Sequence, residues 1–137
     1  MKELTIEATI ENIPAVTDFV DNILAEAGCP LKVQMRIDVA VDELFGNIAH
    51  YAYTPDTGPV TVSVEIREDP AAAVITFADR GIPYNPLEAE EPDVTLNAAD
   101  RPIGGLGIFL VRKSMDDIQY EFRDGQNILT ITKYLGS

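Results

Sequence analysis

The sequence predicts an α+β protein: a two-layer sandwich in which a mixed β-sheet is covered on one face by helices. Three observations carry that expectation. Strand-like and helix-like patterns follow one another in the order β-α-α-β-β-loop-α-β-β, which is not strict alternation. Two pairs of adjacent strand patterns are joined by turn residues, at Asp69-Pro70 and Asp124-Gly125. The length, 137 residues with 46% hydrophobic residues, suits one domain, residues 1–137, with an ordinary core.

Each element has its own signal. Residues Glu3 to Ile13 alternate, with Leu4, Ile6, Ala8 and Ile10 on one side, which predicts a half-buried strand. Pro14 opens a helix whose Val16, Phe19, Val20, Ile23 and Leu24 recur at helical spacing, and Gly28 ends it. Leu31 to Tyr53 is the longest helical stretch, closed by Pro55 and Gly58. Its Ile37, Val41, Leu44 and Ile48 share one arc. Val60, Val62, Val64 and Ile66 alternate with polar residues, and AAAVITFAD follows as the returning strand. From Arg80 to Ile103 no period survives; prolines and acids dominate, which predicts a long loop. Glycines 104, 105 and 107 then precede a helical run, IFLVRKSM, and two strands close the chain.

Charge and composition exclude several functions. Ten basic residues face 23 acidic ones, a net charge of −13. Such a surface repels nucleic-acid phosphates and anionic membranes, and it suits a basic protein partner. One cysteine, Cys29, forms no intrachain disulfide, and one histidine, His50, excludes a site needing two. No apolar run approaches the roughly 20 residues of a membrane span, and the N-terminus does not read as a signal peptide. The expected compartment is the cytoplasm.

Three clusters could carry chemistry, each with a plainer alternative. Glu43 and Asn47 stand one helical turn apart at the edge of the apolar arc. A carboxylate and an amide so placed could hold a hard cation and a water, or be solvated boundary residues. Asp79-Arg80-Gly81 follows a strand directly. The Asp could accept a hydrogen bond from an exocyclic amine, or the segment could be a turn. Gly104-Gly105-Leu106-Gly107 opens a helix. Its backbone N–H groups could hold an anion, or the glycines could serve as a hinge. The pattern is neither a Walker A loop nor a dinucleotide fingerprint.

Taken in order, these clusters resemble the nucleotide-binding boxes of the GHKL ATPase superfamily, which includes gyrase and histidine kinases. The strings DELFGNIAHYAY, DRGIPYNPLE and GGLGIFLVRKSMDDIQY carry the resemblance, which spans essentially the whole chain. Within the superfamily the sequence is most similar to the small bacterial anti-sigma-factor serine kinases. The resemblance implies the GHKL (Bergerat) ATP-binding fold, with ATP and Mg2+ as cofactors. It implies Glu43 as general base, Asn47 as the magnesium-binding amide, Asp79 as the adenine-recognising carboxylate and Gly81 as its supporting glycine. Gly105 and Gly107 match the phosphate-contacting glycines, within the run Gly104 to Gly107. Residues 86–103 match the ATP lid. Arg101 is either a lid contact to the γ-phosphate or an offset to the lid's acids. The family's second glycine in the Asp-x-Gly-x-Gly box is Pro83 here.

The function implied is that of an ATP-dependent anti-sigma-factor serine kinase. Its implied partners are a sigma factor and a STAS-domain anti-anti-sigma protein whose serine is phosphorylated. A second reading is an ATP-binding switch module without kinase turnover. Dimerisation is typical of the proteins it resembles, and the strand around Thr5 offers an edge for a homodimer.

Overall fold

A computed structural model describes residues 1–88 and 105–136. In chain order these form β1 (Lys2–Glu7), α1 (Ile13–Glu26), α2 (Leu31–Tyr51), β2 (Pro59–Arg67), β3 (Ala72–Asp79), α3 (Gly105–Ser114), β4 (Asp117–Arg123) and β5 (Gln126–Tyr134). Single 3₁₀ turns occupy Ile10–Asn12 and Pro86–Glu88. The α+β, two-layer reading holds, with the five strands in the order β1-β2-β3-β5-β4.

Two expectations are corrected. The sheet is not mixed: every pairing in it is antiparallel. The reason is topological. The crossover through α3 brings β4 back pointing the same way as β3, but β5, returning from β4 through a hairpin, lies between them. The parallel neighbours that a β-α-β crossover ordinarily creates are thus kept apart. The first strand also stops at Glu7 and not near Ile13. There Ala8 turns inward and its N–H bonds to Gly58 O at 2.9 Å, after which the chain enters the 3₁₀ turn.

Each strand's alternation buries one face under the helices. Val60, Val62 and Val64 of β2, Ile75 and Phe77 of β3, and Leu129 and Ile131 of β5 point into the core. Against them pack Val16, Val20 and Leu24 of α1, and Ile37, Val41, Leu44 and Phe45 of α2. Ile108 and Val111 of α3 complete the layer. The opposite face is rich in hydroxyls, with Thr5 bonded to Thr61 at 2.9 Å and Thr76 to Thr130 at 3.3 Å. The β4–β5 hairpin turns at Asp124 and Gly125, both at positive φ (53° and 76°), as a type I′ turn requires. Ile48, placed on the core arc by its spacing, is half-buried at the core's edge.

Where α1 meets α2, Thr17 donates to Asp42 at 3.0 Å, and Asp21 faces Asp38. The Oδ1 atoms of Asp21 and Asp38 are buried without a donor, which a proton held between them would supply. Burial, the Asp21 contact and the Asp42 charge together push the Asp38 carboxyl from 3.8 up to about 8. An acid whose pKa rises on folding gives stability that is complete below its unfolded value. That stability is lost as pH climbs through the folded value. The Asp38→Asn variant, which needs no shared proton, is therefore expected to gain in Tm over the parent as pH rises from about 5 to about 8. A Tm difference that stays constant across that range would exclude the shared proton.

Candidate functional site

The C-terminal half of α2, the exit of β3 and the start of β5 enclose one cleft. Leu44, Ile48, Phe77 and Leu129 supply apolar walls, and Asn47, Asp79 and Asn127 supply polar groups. Tyr51 and Tyr84 also line it, with ring centroids 6.2 Å apart. Apolar walls with a few hydrogen-bonding groups suit a planar heterocycle.

Backbone hydrogen bonds stitch the β3 exit to the end of α2. Ile82 N–H donates to Ala52 O at 2.9 Å. The Tyr53 hydroxyl accepts from Arg80 N at 2.8 Å and donates to Pro59 O at 2.6 Å. Burial raises the Tyr53 pKa, so the phenol stays protonated and keeps both roles. Gly81 lies so close to α2 that a Cβ there would collide with the Ala52 carbonyl group.

Asp79, 5% exposed, accepts at Oδ1 from Gly81 N (2.9 Å) and from Asn127 Nδ2 (3.0 Å). The sequence pattern singled out Asp79 and Gly81 but missed Asn127. A signal for Asn127 existed: in the alternation of β5 it occupies the inward row of Leu129 and Ile131, where a polar side chain is out of place.

A second junction joins α2 to α3. Glu43, half-buried, sits against Gly107 in the first turn of α3, so closely that a Cβ on Gly107 would strike its carboxylate. Asn47 follows one turn later on α2 and lines the cleft with Asp79. The structure thus brings Glu43, Asn47, Asp79, Gly81 and Gly107 to one side of the molecule, with Gly105 opening α3. The first N–H groups of α3 have no intrahelical partner, and the helix dipole favours an anion there. Leu106 lies on the same helical turn. Arg101, Gly104 and all but the first residues of the segment expected as a lid lie outside the described residues. His50 is exposed, its ring 6.0 Å from Tyr51, and its carbonyl accepts from Thr54 Oγ1.

This cleft, at the open end of a helix-covered antiparallel sheet, defines the class, and the chain belongs to the histidine kinase-like ATPase domain family, whose model matches residues 6–133. Its relatives then narrow the class to protein serine/threonine kinases. The serine/threonine-protein kinase BtrW of Bordetella bronchiseptica is 30% identical over 103 residues, covering 75% of this chain and 72% of that protein. The serine-protein kinase RsbW of Bacillus mycoides is 31% identical over 134 residues, covering 90% and 82%. A solved structure of the RsbU and RsbW domains of Rv1364c from Mycobacterium tuberculosis superposes with a TM-score of 0.67 at 18% identity. It matches 98% of this chain, which spans only 33% of that longer one. The SiaB-SiaC complex from Pseudomonas aeruginosa gives a TM-score of 0.58 at 16% identity, covering 95% of this chain and 88% of that one. These two likenesses concern the fold.

The two close-packed glycines separate by what a methyl would meet. At Gly81 it meets backbone, which cannot yield, so Gly81→Ala is expected to cost about 2 kcal/mol in chemical denaturation. At Gly107 it meets the end of a flexible side chain. Gly107→Ala is therefore expected to leave Tm nearly unchanged while turning Glu43 aside, which lowers phosphotransfer about tenfold or more in a kinase assay.

Proposed function

We propose that this chain is an ATP-dependent anti-sigma-factor serine kinase. It would bind a sigma factor and phosphorylate a serine of a STAS-domain anti-anti-sigma protein. The observation that carries the reading is the junction of Glu43 with Gly107, set beside a cleft that holds Asn47 and Asp79. A carboxylate against the open start of a helix suits the phosphate side of a nucleotide, and a buried acceptor among apolar walls suits its base.

The residues present fit ATP and magnesium. The apolar walls with Asp79 suit an adenine, and Asp79 would accept from its exocyclic amine. The N–H groups around Gly105 and Gly107 would face the phosphates. Asn47, an oxygen ligand of the kind magnesium takes while keeping several waters, would hold the metal. When bound, ATP supplies the phosphoryl group and magnesium neutralises its charge.

Glu43 then has one task. As the serine oxygen forms its bond to the γ-phosphorus and the bond to the ADP oxygen breaks, Glu43 accepts the hydroxyl proton. Binding needs no such base, so Glu43 separates a kinase from an ATP-binding switch. The −13 charge supports encounter with a basic sigma factor, since opposite charge raises association rates. The relatives' kinase names also support a cytoplasmic protein, and the exposed edge of β1 supports a homodimer through strand pairing.

Labelled ATP and a STAS-domain partner test the reading. Label is expected on a partner serine and is expected to fall about 100-fold or more in Glu43→Ala, with ATP affinity retained. ATP binding without any transfer would establish the switch module instead. Asn47→Ala is expected to weaken ATP binding only in the presence of magnesium. An unchanged magnesium-dependent Kd by calorimetry would remove Asn47 from the metal site.

A further inference from the structure

Among the described residues of the site, Asn127 makes the most side-chain hydrogen bonds, and the sequence pattern gives it no role. It is 7% exposed, on β5, directly opposite Asp79 in the β3–β5 register. Its Nδ2 donates to Asp79 Oδ1 (3.0 Å), Ile82 O (2.9 Å) and, at longer range, Gly81 O (3.4 Å). Its Oδ1 accepts from Tyr84 N (3.1 Å) and from the Tyr120 hydroxyl.

This arrangement has only one workable amide orientation. Turned over, Asn127 would set its oxygen against a carboxylate and two carbonyls, and its NH2 against two donors. The amide therefore converts one end of the cleft from a cluster of acceptors into a satisfied network. Both donors to Asp79, Gly81 N and Asn127 Nδ2, fall on Oδ1. Held at that oxygen, the carboxylate cannot swing to relieve repulsion from an unsuitable ligand, and Oδ2 is left for a ligand donor. Through Tyr84 N the same amide fixes the residue whose ring stands 6.2 Å from Tyr51 at the cleft wall.

We infer that Asn127 is the positioning residue for nucleobase selectivity: it locks the Asp79 carboxylate so that the cleft accepts a 6-amino purine and rejects a 6-oxo purine. A base bearing an amine at that edge donates to the carboxylate. A base bearing an oxo group sets an acceptor against a buried carboxylate oxygen that has no freedom to turn away, which is costly. The inference rests on the reading of the cleft as an adenine site.

The experiment compares Kd for ATP and for ITP, which carries an oxo group in place of the amine, in the parent, Asp79→Asn, Asn127→Ala and Tyr120→Phe. The parent is expected to prefer ATP. Asp79→Asn tests the adenine reading by itself and is expected to abolish the preference. Asn127→Ala is expected to reduce the ITP/ATP ratio of Kd about tenfold, the loss of one well-placed hydrogen bond to a charged group. It should raise KM for ATP while leaving kcat at saturating ATP close to the parent value, because the phosphoryl end is untouched. Tyr120→Phe removes one donor to Asn127 Oδ1 and is expected to shift the ratio the same way by less. If Asn127→Ala does not fold, the ratio in Tyr120→Phe decides between the two roles. If the folded Asn127 and Tyr120 variants keep the parent ratio while Asp79→Asn loses it, Asn127 only supports the fold and the inference fails. If Asp79→Asn keeps the ratio, the adenine reading fails, and the inference with it.

Discussion

The architecture of the site depends on one buried pairing: the amide of Asn127 against the carboxylate of Asp79, across the β3–β5 ladder. A carboxylate this far from water is tolerated only if donors surround it. Here the donors are neutral, an amide and a backbone N–H, and not an arginine or lysine. Among the described residues no salt bridge occupies the carboxylate, and it remains an acceptor for something else. Everything around the β3 exit serves that condition. Gly81 lets the chain approach Ala52, Ile82 and Arg80 anchor to α2 and Tyr53, and Tyr84 and Tyr120 complete the amide's own bonds.

The second constraint is electrostatic. A chain of net charge −13 has few side-chain cations to offer a triphosphate. Under the function proposed above, positive potential would come from backbone N–H groups at a helix start and from a bound cation. That explains why glycine matters where α3 meets α2. Only a residue without a Cβ lets the helix start come up against the Glu43 carboxylate. Among the described residues, both junctions of the site are built from close approach, at Gly107 against Glu43 and at Gly81 against Ala52.

Much of this was legible in one dimension. The helices α1 and α2 and both hairpins follow from local spacing and turn residues, since those signals act within a few positions. Glu43, Asn47, Asp79, Gly81 and Gly107 stand out as candidates because their local contexts carry a recognisable order. The antiparallel sheet was not legible, because it depends on β5 inserting between β3 and β4, a choice made by strands distant in sequence. The inward place of Asn127 in β5 was legible, but its role was not, because its partner Asp79 is 48 positions away. The facing of Asp21 and Asp38 across the helix junction was also invisible, since each alone reads as an ordinary helix-surface acid.

By itself the sequence determined the element types, the inward row of each strand and the order of the chemical boxes, since periodicity and turn chemistry are local properties of the chain. Tertiary structure decided which boxes touch. It set the strand neighbours, laid Gly107 on Glu43 and placed an amide from the last strand over the carboxylate at the end of the third. Those are contacts across long stretches of chain, and burial makes them consequential: an acceptor removed from water must find its donors in space, wherever in the chain they lie.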